Sequence, residues 1–579
     1  MAGFSGIISK QKLIASLSFR SEVMNTSEKN FVYRKISHEN YIFDQHSNQK
    51  FLQEKILTED NEVVIGTDGV ILNYKTLKSK YKCEDIFGLI KTMYSKAGDD
   101  FVSELKGDFS GFIFRKKDQS CFVYCNPTGS KRIFHFQNES YFIFSSDLKY
   151  ISHLKDQLEL PNKLDEQAAY LLLTNGFMLE DFSLLQDVKR LMPGNYLHFD
   201  GSNTSIKEYF HLKNITKTTD NRDEIIEKMD ILFNEAVRLE FEKDVEYGYK
   251  HMATLSGGLD SRMTVLVAHE LGYKEQLNFT FSQKGYLDEK IARRIARDYK
   301  HDFHFESLGK GDYLKDIDSS VALNDGLVLY SGSAHLLFAL NRMNTEEYGL
   351  VHTGLVGDAV IGSFLSHPYA VKATPTDGMY SRTLSHKVTD LISKVIDLYP
   401  NEELYKFYSR GFLGAMNGNY SIDLISQGVS PFLDIDFLSY CISIPDEMKY
   451  KQEIYIDWIA KKHRKFANYP WEKTGVSPLK SYNYKKYLDP GYYLRMQGKF
   501  FDRLSGKIKS GMNPLDYWLE NNESLRVCLN TYFDEHIVGL NQYTTLQKDC
   551  LKLYKEGNSG EKFQVLTLLS AIKLHNITS

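Results

Sequence analysis

The densest run of chemistry-bearing residues is Leu255-Ser256-Gly257-Gly258-Leu259-Asp260-Ser261. Tyr249 to Thr254, just before it, reads as a short buried strand. Met263 to Ala268, just after it, reads as a helix ended by Gly272. A glycine turn between a strand and a helix N-terminus is an anion site. Backbone N–H groups point outward there, and the helix dipole adds roughly half a positive charge. Gly257 and Gly258 let the backbone approach the anion without a Cβ in the way. Ser256 and Ser261 add hydroxyl donors. Asp260 cannot hold phosphate directly, because like charges repel; its natural partner is Mg²⁺, which bridges a carboxylate to phosphate oxygens. The expectation is a Mg²⁺-pyrophosphate site. A Gly-Gly pair alone would equally describe an ordinary turn, and no Gly-x-x-x-x-Gly-Lys-Ser/Thr phosphate loop occurs.

The elements around this loop alternate. A helix with Ile225, Met229, Leu232, Phe233 and Ala236 on one face leads to the strand before Ser256. The helix after Ser261 is followed by a strand at Leu277–Ser282 and a helix from about Leu287 that puts Ile291, Ile295 and Tyr299 on one face. Further strands are expected at Phe303–Phe305 and Gly349–Thr353. Strands alternating with helices imply a parallel α/β sheet with ligands outside the carboxyl ends of the strands. The first ~210 residues instead carry short β-like segments (Glu62–Ile65, Gly111–Phe114, Cys121–Tyr124, Tyr141–Phe144) separated by turns such as Asn126-Pro127-Thr128-Gly129. That part reads as an α+β domain of antiparallel sheets. The polar stretch Lys213 to Arg222 is the expected linker, giving domains at 1–212 and 223–579. Beyond about Pro431 the chain reads as mostly helical.

The chain has 579 residues, 42% hydrophobic and 25% charged, with a formal net charge of -4, so it has length for more than one domain and no basic surface for nucleic acid. Six cysteines (Cys83, Cys121, Cys125, Cys441, Cys528, Cys550) lie too far apart for a disulfide framework, and there is no Cys-x-x-Cys pair for zinc. No stretch of about 18 uninterrupted apolar residues occurs; Val321 to Leu340 carries Asn324, Asp325, Gly326 and His335. The N-terminus lacks a signal-peptide layout. A cytoplasmic protein without membrane insertion is expected. Aromatic residues, at 13%, are expected to fill cores.

The hexapeptide Ser256 to Ser261 resembles the signature of ATP-pyrophosphatases, and the order of domains resembles the asparagine synthetase superfamily. In the first domain the similar segments are Gly107-Asp108-Phe109-Ser110-Gly111-Phe112, Pro127-Thr128-Gly129-Ser130-Lys131, Ser145-Ser146-Asp147-Leu148-Lys149 and Leu191-Met192-Pro193-Gly194. In the second they are the helix headed by Asp288, the stretch Thr353-Gly354-Leu355-Val356-Gly357-Asp358-Ala359-Val360-Ile361-Gly362, Pro431-Phe432-Leu433-Asp434, and Lys473-Thr474-Gly475. The resemblance implies a glutaminase-like, Ntn-type sandwich followed by a parallel-sheet ATP-pyrophosphatase domain with a helical C-terminal part. It implies ATP and pyrophosphate held by Leu255, Ser256, Gly257, Gly258, Leu259, Asp260, Ser261, Phe281, Ser282, Thr353 and Gly354. Mg²⁺ would lie on Asp260 and Asp358, and Lys473 would offset charge as pyrophosphate leaves.

Departures from the family pattern shape the functional expectation. Glutamine-hydrolysing members begin Met-Cys-Gly, whereas this chain reads Met1-Ala2-Gly3-Phe4-Ser5. The family's glutamine-holding Asn-Gly-Glu appears as Asp68-Gly69-Val70. Leu355 stands where asparagine synthetases carry a catalytic glutamate, and Ala359 replaces another. His304 and His352 both read as structural histidines. The expectation is an AMP-forming ligase that adenylates a carboxylate for attack by ammonia or an amine, without glutamine hydrolysis of its own. Relatives with inert first domains include β-lactam synthetases, lasso-peptide cyclases and enzymes thought to amidate sugar acids. Asparagine synthetase proper and a catalytically inactive nucleotide-binding scaffold are the competing readings.

Overall fold

The computed structural model describes residues 2–13, 17–19, 31–481, 490, 493–494, 496–497 and 511–577. Up to Glu208 the chain builds two six-stranded sheets. One runs in the order Lys189–Arg190, Phe134–Gln137, Tyr141–Ser145, Gly3–Ser9, Tyr41–Asn48, Phe31–Ser37. The other runs Thr204–Glu208, Asn195–Phe199, Ser120–Cys125, Gly107–Arg115, Val63–Ile71, Leu57–Glu59. Neighbouring strands are antiparallel throughout. Aromatic rings fill the space between the sheets. Phe4 lies 5.2 Å from Phe112 and Phe43 lies 4.8 Å from Phe112, centroid to centroid. Gly6 is required there, since a Cβ would stand 2.4 Å from the Phe144 ring. The helix Ile86–Ala97 covers the outer face of the second sheet with Ile86, Leu89, Ile90 and Met93. The helices Leu148–Gln157 and Glu166–Asn175 pack into the larger core shared with the rest of the chain.

After a short turn at Leu212–Asn214 the backbone runs extended to Asn221, where a capping box with Glu224 starts the helix Arg222–Tyr247. A five-stranded parallel sheet follows, in the order Asp302–Ser307, Gln276–Ser282, Lys250–Thr254, Tyr348–His352, Gly428–Val429. The helices Asp260–Glu270 and Leu287–Tyr299 connect the first three strands. The strand order reverses between Lys250–Thr254 and Tyr348–His352, so the crevice at their carboxyl ends is the switch point where open α/β sheets take ligands. Past Pro431 the described residues are mostly helical, and the last helix, Ser559–Leu574, is buried along most of its length against Ile317–Asn324 and Glu166–Asn175. The expected α/β class, the antiparallel first part and the helical end are all present. Val321 to Leu340 is two buried helical segments broken at Asp325 and Gly326, and no helix among the described residues is long and apolar enough to cross a membrane.

Candidate active site at the switch point

The loop Ser256–Ser261 folds on itself. Ser256 N–H donates to the Ser261 hydroxyl (3.0 Å), Gly258 N–H to the Ser256 hydroxyl (3.1 Å), and the two hydroxyls are 3.1 Å apart. Gly257 N–H donates to Asp288 at 2.8 Å, which gives that residue its part: it holds the turn from the neighbouring helix. The helix beginning at Asp260 leaves its first amides without intrahelical partners, and these face the crevice end. Arg262 is buried behind the loop and donates to the carbonyls of Gly257, Phe466, Tyr469 and Pro470. It pins the loop to the segment that carries Lys473. Its sequence signal was weak, being one basic residue inside an otherwise apolar helix.

The second motif lies across this turn at van der Waals limit. A Cβ on Gly354 would stand 2.3 Å from the Ser261 nitrogen, and one on Gly357 would stand 2.8 Å from the Asp260 Cβ. These two glycines bring Asp358 against Asp260. The Asp260 carboxylate accepts from Tyr455 Oη at 2.9 Å and from the backbone N–H of Asp358. Burial, and then the charge of Asp358, push the Asp260 carboxyl up to about 8. A buried carboxylate that keeps its proton near neutrality, with a second carboxylate next to it, fits a hard divalent cation, which would replace that proton. Val356, between the glycines, adopts φ 63°, a left-handed conformation costly for a β-branched residue.

A cavity of about 240 Å³ opens here, lined by Ser256, Gly258, Asp260, Ser261, Phe281, Thr353, Gly354 and Leu355, with Asn419 opposite. Leu255, Leu259 and Ser282 of the expected set are instead buried beside it. Strand alternation turns Phe281 toward the cavity and Ser282 away, its hydroxyl donating to Gln283 O (2.9 Å). Gly257 packs under Glu472, whose N–H donates to Gly257 O at 3.0 Å. Lys473 is therefore the next residue to the loop, but it is exposed and lies outside the cavity wall. Its Nζ is 3.4 Å from Gln452 Oε1 and 5.1 Å from the Trp471 ring centre, and its charge pulls Asp260 down, against the larger effect of burial.

Leu355 also lines a second cavity of about 40 Å³, which shares Asp108, Ser430 and Leu433 with a third of about 30 Å³ near Glu240. Behind them His352 is buried, bonded to Asp244 at 2.8 Å and Glu240 at 3.2 Å, while Asp244 also meets His251 at 2.9 Å. Burial would lower the His352 pKa, but the two carboxylates lift it to about 9. His352 is thus a structural cation. His352→Leu is expected to cost about 3–5 kcal/mol by stranding the buried Glu240 and taking one of two histidine partners from Asp244, read as a lower urea midpoint at pH 7. The contribution is fully present below the ordinary histidine range and is lost as pH rises through about 9. His304 is half-buried beside Glu306 and stands apart from the cavity.

In the first domain, position 2 is an alanine, 5% exposed at the head of the Gly3–Ser9 strand, and Ser5 bonds Ser145. Asp68 is buried and paired with Lys131 at 3.1 Å; Lys131 also meets Asp423 at 3.0 Å. Arg132 is paired with Asp147 (2.5 Å) and Asp325 (2.9 Å). Asp325 and Asp423 come from the second half of the chain, so these residues form charged rivets across the interface.

Residues 42–210 match the family described as a glutamine amidotransferase domain, and residues 228–406 match asparagine synthase. The chain is 29% identical over 328 residues to a putative asparagine synthetase (glutamine-hydrolyzing) 2 of Methanocaldococcus jannaschii, covering 54% of this chain and 62% of that protein. It is 28% identical over 270 residues to asparagine synthetase (glutamine-hydrolyzing) 2 of Bacillus subtilis, covering 42% and 34%. It is 23% identical over 342 residues to a probable asparagine synthetase (glutamine-hydrolyzing) of Dictyostelium discoideum, covering 54% and 55%. The chain thus spans between about a third and under two thirds of these relatives' length. A glutamine phosphoribosylpyrophosphate amidotransferase structure from B. subtilis overlaps 52% of this chain and 65% of its own at TM-score 0.25 and 8% identity, too slight a likeness to carry an argument. With the Ser256–Ser261 and Thr353–Asp358 loops joined at the switch point of a parallel sheet, and an antiparallel domain ahead of it, the two family matches make this chain a member of the asparagine synthetase superfamily with an N-terminal glutaminase-like domain.

Proposed function

We propose that this chain is an AMP-forming carbon–nitrogen ligase that adenylates a carboxylate and passes it to ammonia or an amine not released from glutamine by its own first domain. The observation that carries the reading is the close approach of Gly354 and Gly357 to Asp260 and Ser261, which sets the Asp358 backbone against the Asp260 carboxylate in the wall of the cavity beside the phosphate-type loop. In this reading the loop amides and the Ser256 and Ser261 hydroxyls bind the departing pyrophosphate. Asp260 and Asp358 would hold Mg²⁺, and its charge would offset that of the phosphates. Phe281 and Leu336 give the nucleotide an apolar wall. Lys473, free to swing from Gln452, balances charge as the α–β phosphate bond breaks. The carboxylate oxygen attacks the α-phosphorus, pyrophosphate leaves, and the nitrogen then displaces AMP from the acyl carbon. We place the division of labour at domains 1–212 and 223–579.

Two observations support the altered nitrogen and acid. Asp68, in the place of the family's glutamine-holding asparagine, is committed to Lys131, and the alanine at position 2 has no nucleophilic atom. Leu355 gives the cavity no base. The expected result is that glutamine with Mg-ATP yields no glutamate above the uncatalysed rate, and that aspartate with ammonium yields no AMP above background. Measured glutamate release would overturn the first statement, and robust asparagine formation the second.

A further inference from the structure

Tyr455, on the helix Glu453–Lys462, lies outside every motif, yet its ring is fully buried and its hydroxyl donates to Asp260 Oδ1 at 2.9 Å. The ring is fixed on two sides. Trp458 stacks on it with centroids 5.9 Å apart, and Phe432 meets it edge-on at 6.3 Å. Trp458 is itself tied to the helix Arg222–Tyr247 by a 2.9 Å bond from Nε1 to Asp230 Oδ1. The phenol therefore reaches Asp260 out of a packed interior. Asp260 belongs to the cavity wall and Tyr455 stands behind it.

The backbone ahead of this helix aims it. Lys451 and Gln452, just before Glu453, have φ of 55° and 62°. Consecutive left-handed residues other than glycine persist only where their surroundings over-determine them. Those surroundings include the second motif, since a Cβ on Gly362 would stand 2.3 Å from Lys449 O. One strained turn thus brings Gln452 to Lys473 and Tyr455 to Asp260.

The bond to Oδ1 limits what Asp260 can offer a cation. One oxygen is committed to a donor inside the protein, so a cation approaching from the cavity meets a carboxylate set for a single oxygen–metal bond. Mg²⁺ demands octahedral geometry, keeps several waters and is held by one or two carboxylates; Ca²⁺ takes more ligands in looser geometry and accepts both oxygens of one carboxylate.

We propose that Tyr455 is a positioning residue that makes the Asp260 and Asp358 site selective for Mg²⁺ over Ca²⁺, by holding one carboxylate oxygen of Asp260 back from the cation. The inference rests on the ligase reading and on the cation site within it. Hydrogen bonds that orient a ligating carboxylate set its affinity for metal. Without the hydroxyl, Asp260 can turn and present both oxygens. Mg²⁺ then loses a fixed ligand, whereas Ca²⁺ gains a second oxygen that offsets the loss.

The test titrates the full chain calorimetrically with preformed Mg²⁺ and Ca²⁺ complexes of α,β-methylene-ATP. The parent is expected to bind the Mg²⁺ complex more tightly. Tyr455→Phe keeps the ring and is expected to weaken the Mg²⁺ complex by about ten- to a hundredfold, while the Ca²⁺ complex moves by about threefold or less. Trp458→Phe loosens the ring packing and keeps the hydroxyl. It is expected to lower the melting temperature and to leave the ratio of the two affinities as in the parent. A ratio unchanged in Tyr455→Phe, or shifted as far in Trp458→Phe, would overturn the assignment. A parent that binds neither complex contradicts the ligase reading itself, whereas binding of both with a ratio indifferent to the hydroxyl contradicts only the present inference.

Discussion

Asp260→Asn is expected to cut AMP formation by about a thousandfold and, in the same preparation, to raise the melting temperature of the metal-free protein at pH 8. The first effect follows from losing a carboxylate that helps hold Mg²⁺, a clamp worth several kcal/mol of transition-state stabilisation, at about 1.4 kcal/mol per factor of ten. The second follows from electrostatics in the absence of the cation. The Asp260 carboxyl is pushed up to about 8, chiefly by burial and then by Asp358. Between the ordinary carboxylate range and pH 8 the folded chain keeps a proton that the unfolded chain has released. Stability therefore falls as pH rises through that window. The neutral amide has no such penalty and can still accept from Tyr455, 2.9 Å away. Melting curves at pH 5 and pH 8 without metal should show the variant gaining more on the parent at the higher pH. Added Mg²⁺ should stabilise the parent and leave the variant unmoved. A variant that is less stable at pH 8, or that keeps its turnover, would remove Asp260 from the cation site.

Lys473→Met is expected to lower kcat by about two to three orders of magnitude, the usual cost of deleting a group aimed at developing charge, with little change in the KM for ATP. Lys473 is exposed, and its contacts are a 3.4 Å approach to Gln452 and the Trp471 ring. The fold does not depend on it. The segment is held instead by Arg262 and by the Glu472 N–H to Gly257 O bond of 3.0 Å. Lys473→Arg should recover part of kcat, because charge rather than shape is required. Arg262→Met should behave differently: it frees the segment, and KM and kcat should worsen together. Equal kcat in Lys473→Met and the parent would mean that the lysine is a surface residue and nothing more.

The parts of this arrangement legible in the sequence were those written in local pattern. The Ser256–Ser261 turn, the flanking strand and helix, and the parallel strands at Gln276–Ser282 and Tyr348–His352 follow from glycine spacing and apolar periodicity. Asp358 could be placed because its motif keeps Gly354 and Gly357, the two positions where a Cβ would strike the first loop. What stayed hidden was long-range. Nothing local says that Arg262 reaches four carbonyls more than one of which lies 200 residues on, or that Tyr455 comes to Asp260. The left-handed Val356 is likewise invisible, since propensity would assign glycine to that conformation. The rivets of Asp325 and Asp423 onto Arg132 and Lys131 join residues that lie far apart along the chain, which no local pattern reports.

The central claim is that the loop Ser256–Ser261 serves cleavage of ATP between its α- and β-phosphates. The most direct measurement is product analysis of α-labelled ATP with the full chain, Mg²⁺ and hydroxylamine as the nitrogen source, over a set of mono- and dianionic acids. The account predicts labelled AMP and pyrophosphate in equal amounts, formed only when an acid is present and matched by acyl hydroxamate. Labelled ADP with orthophosphate would contradict it.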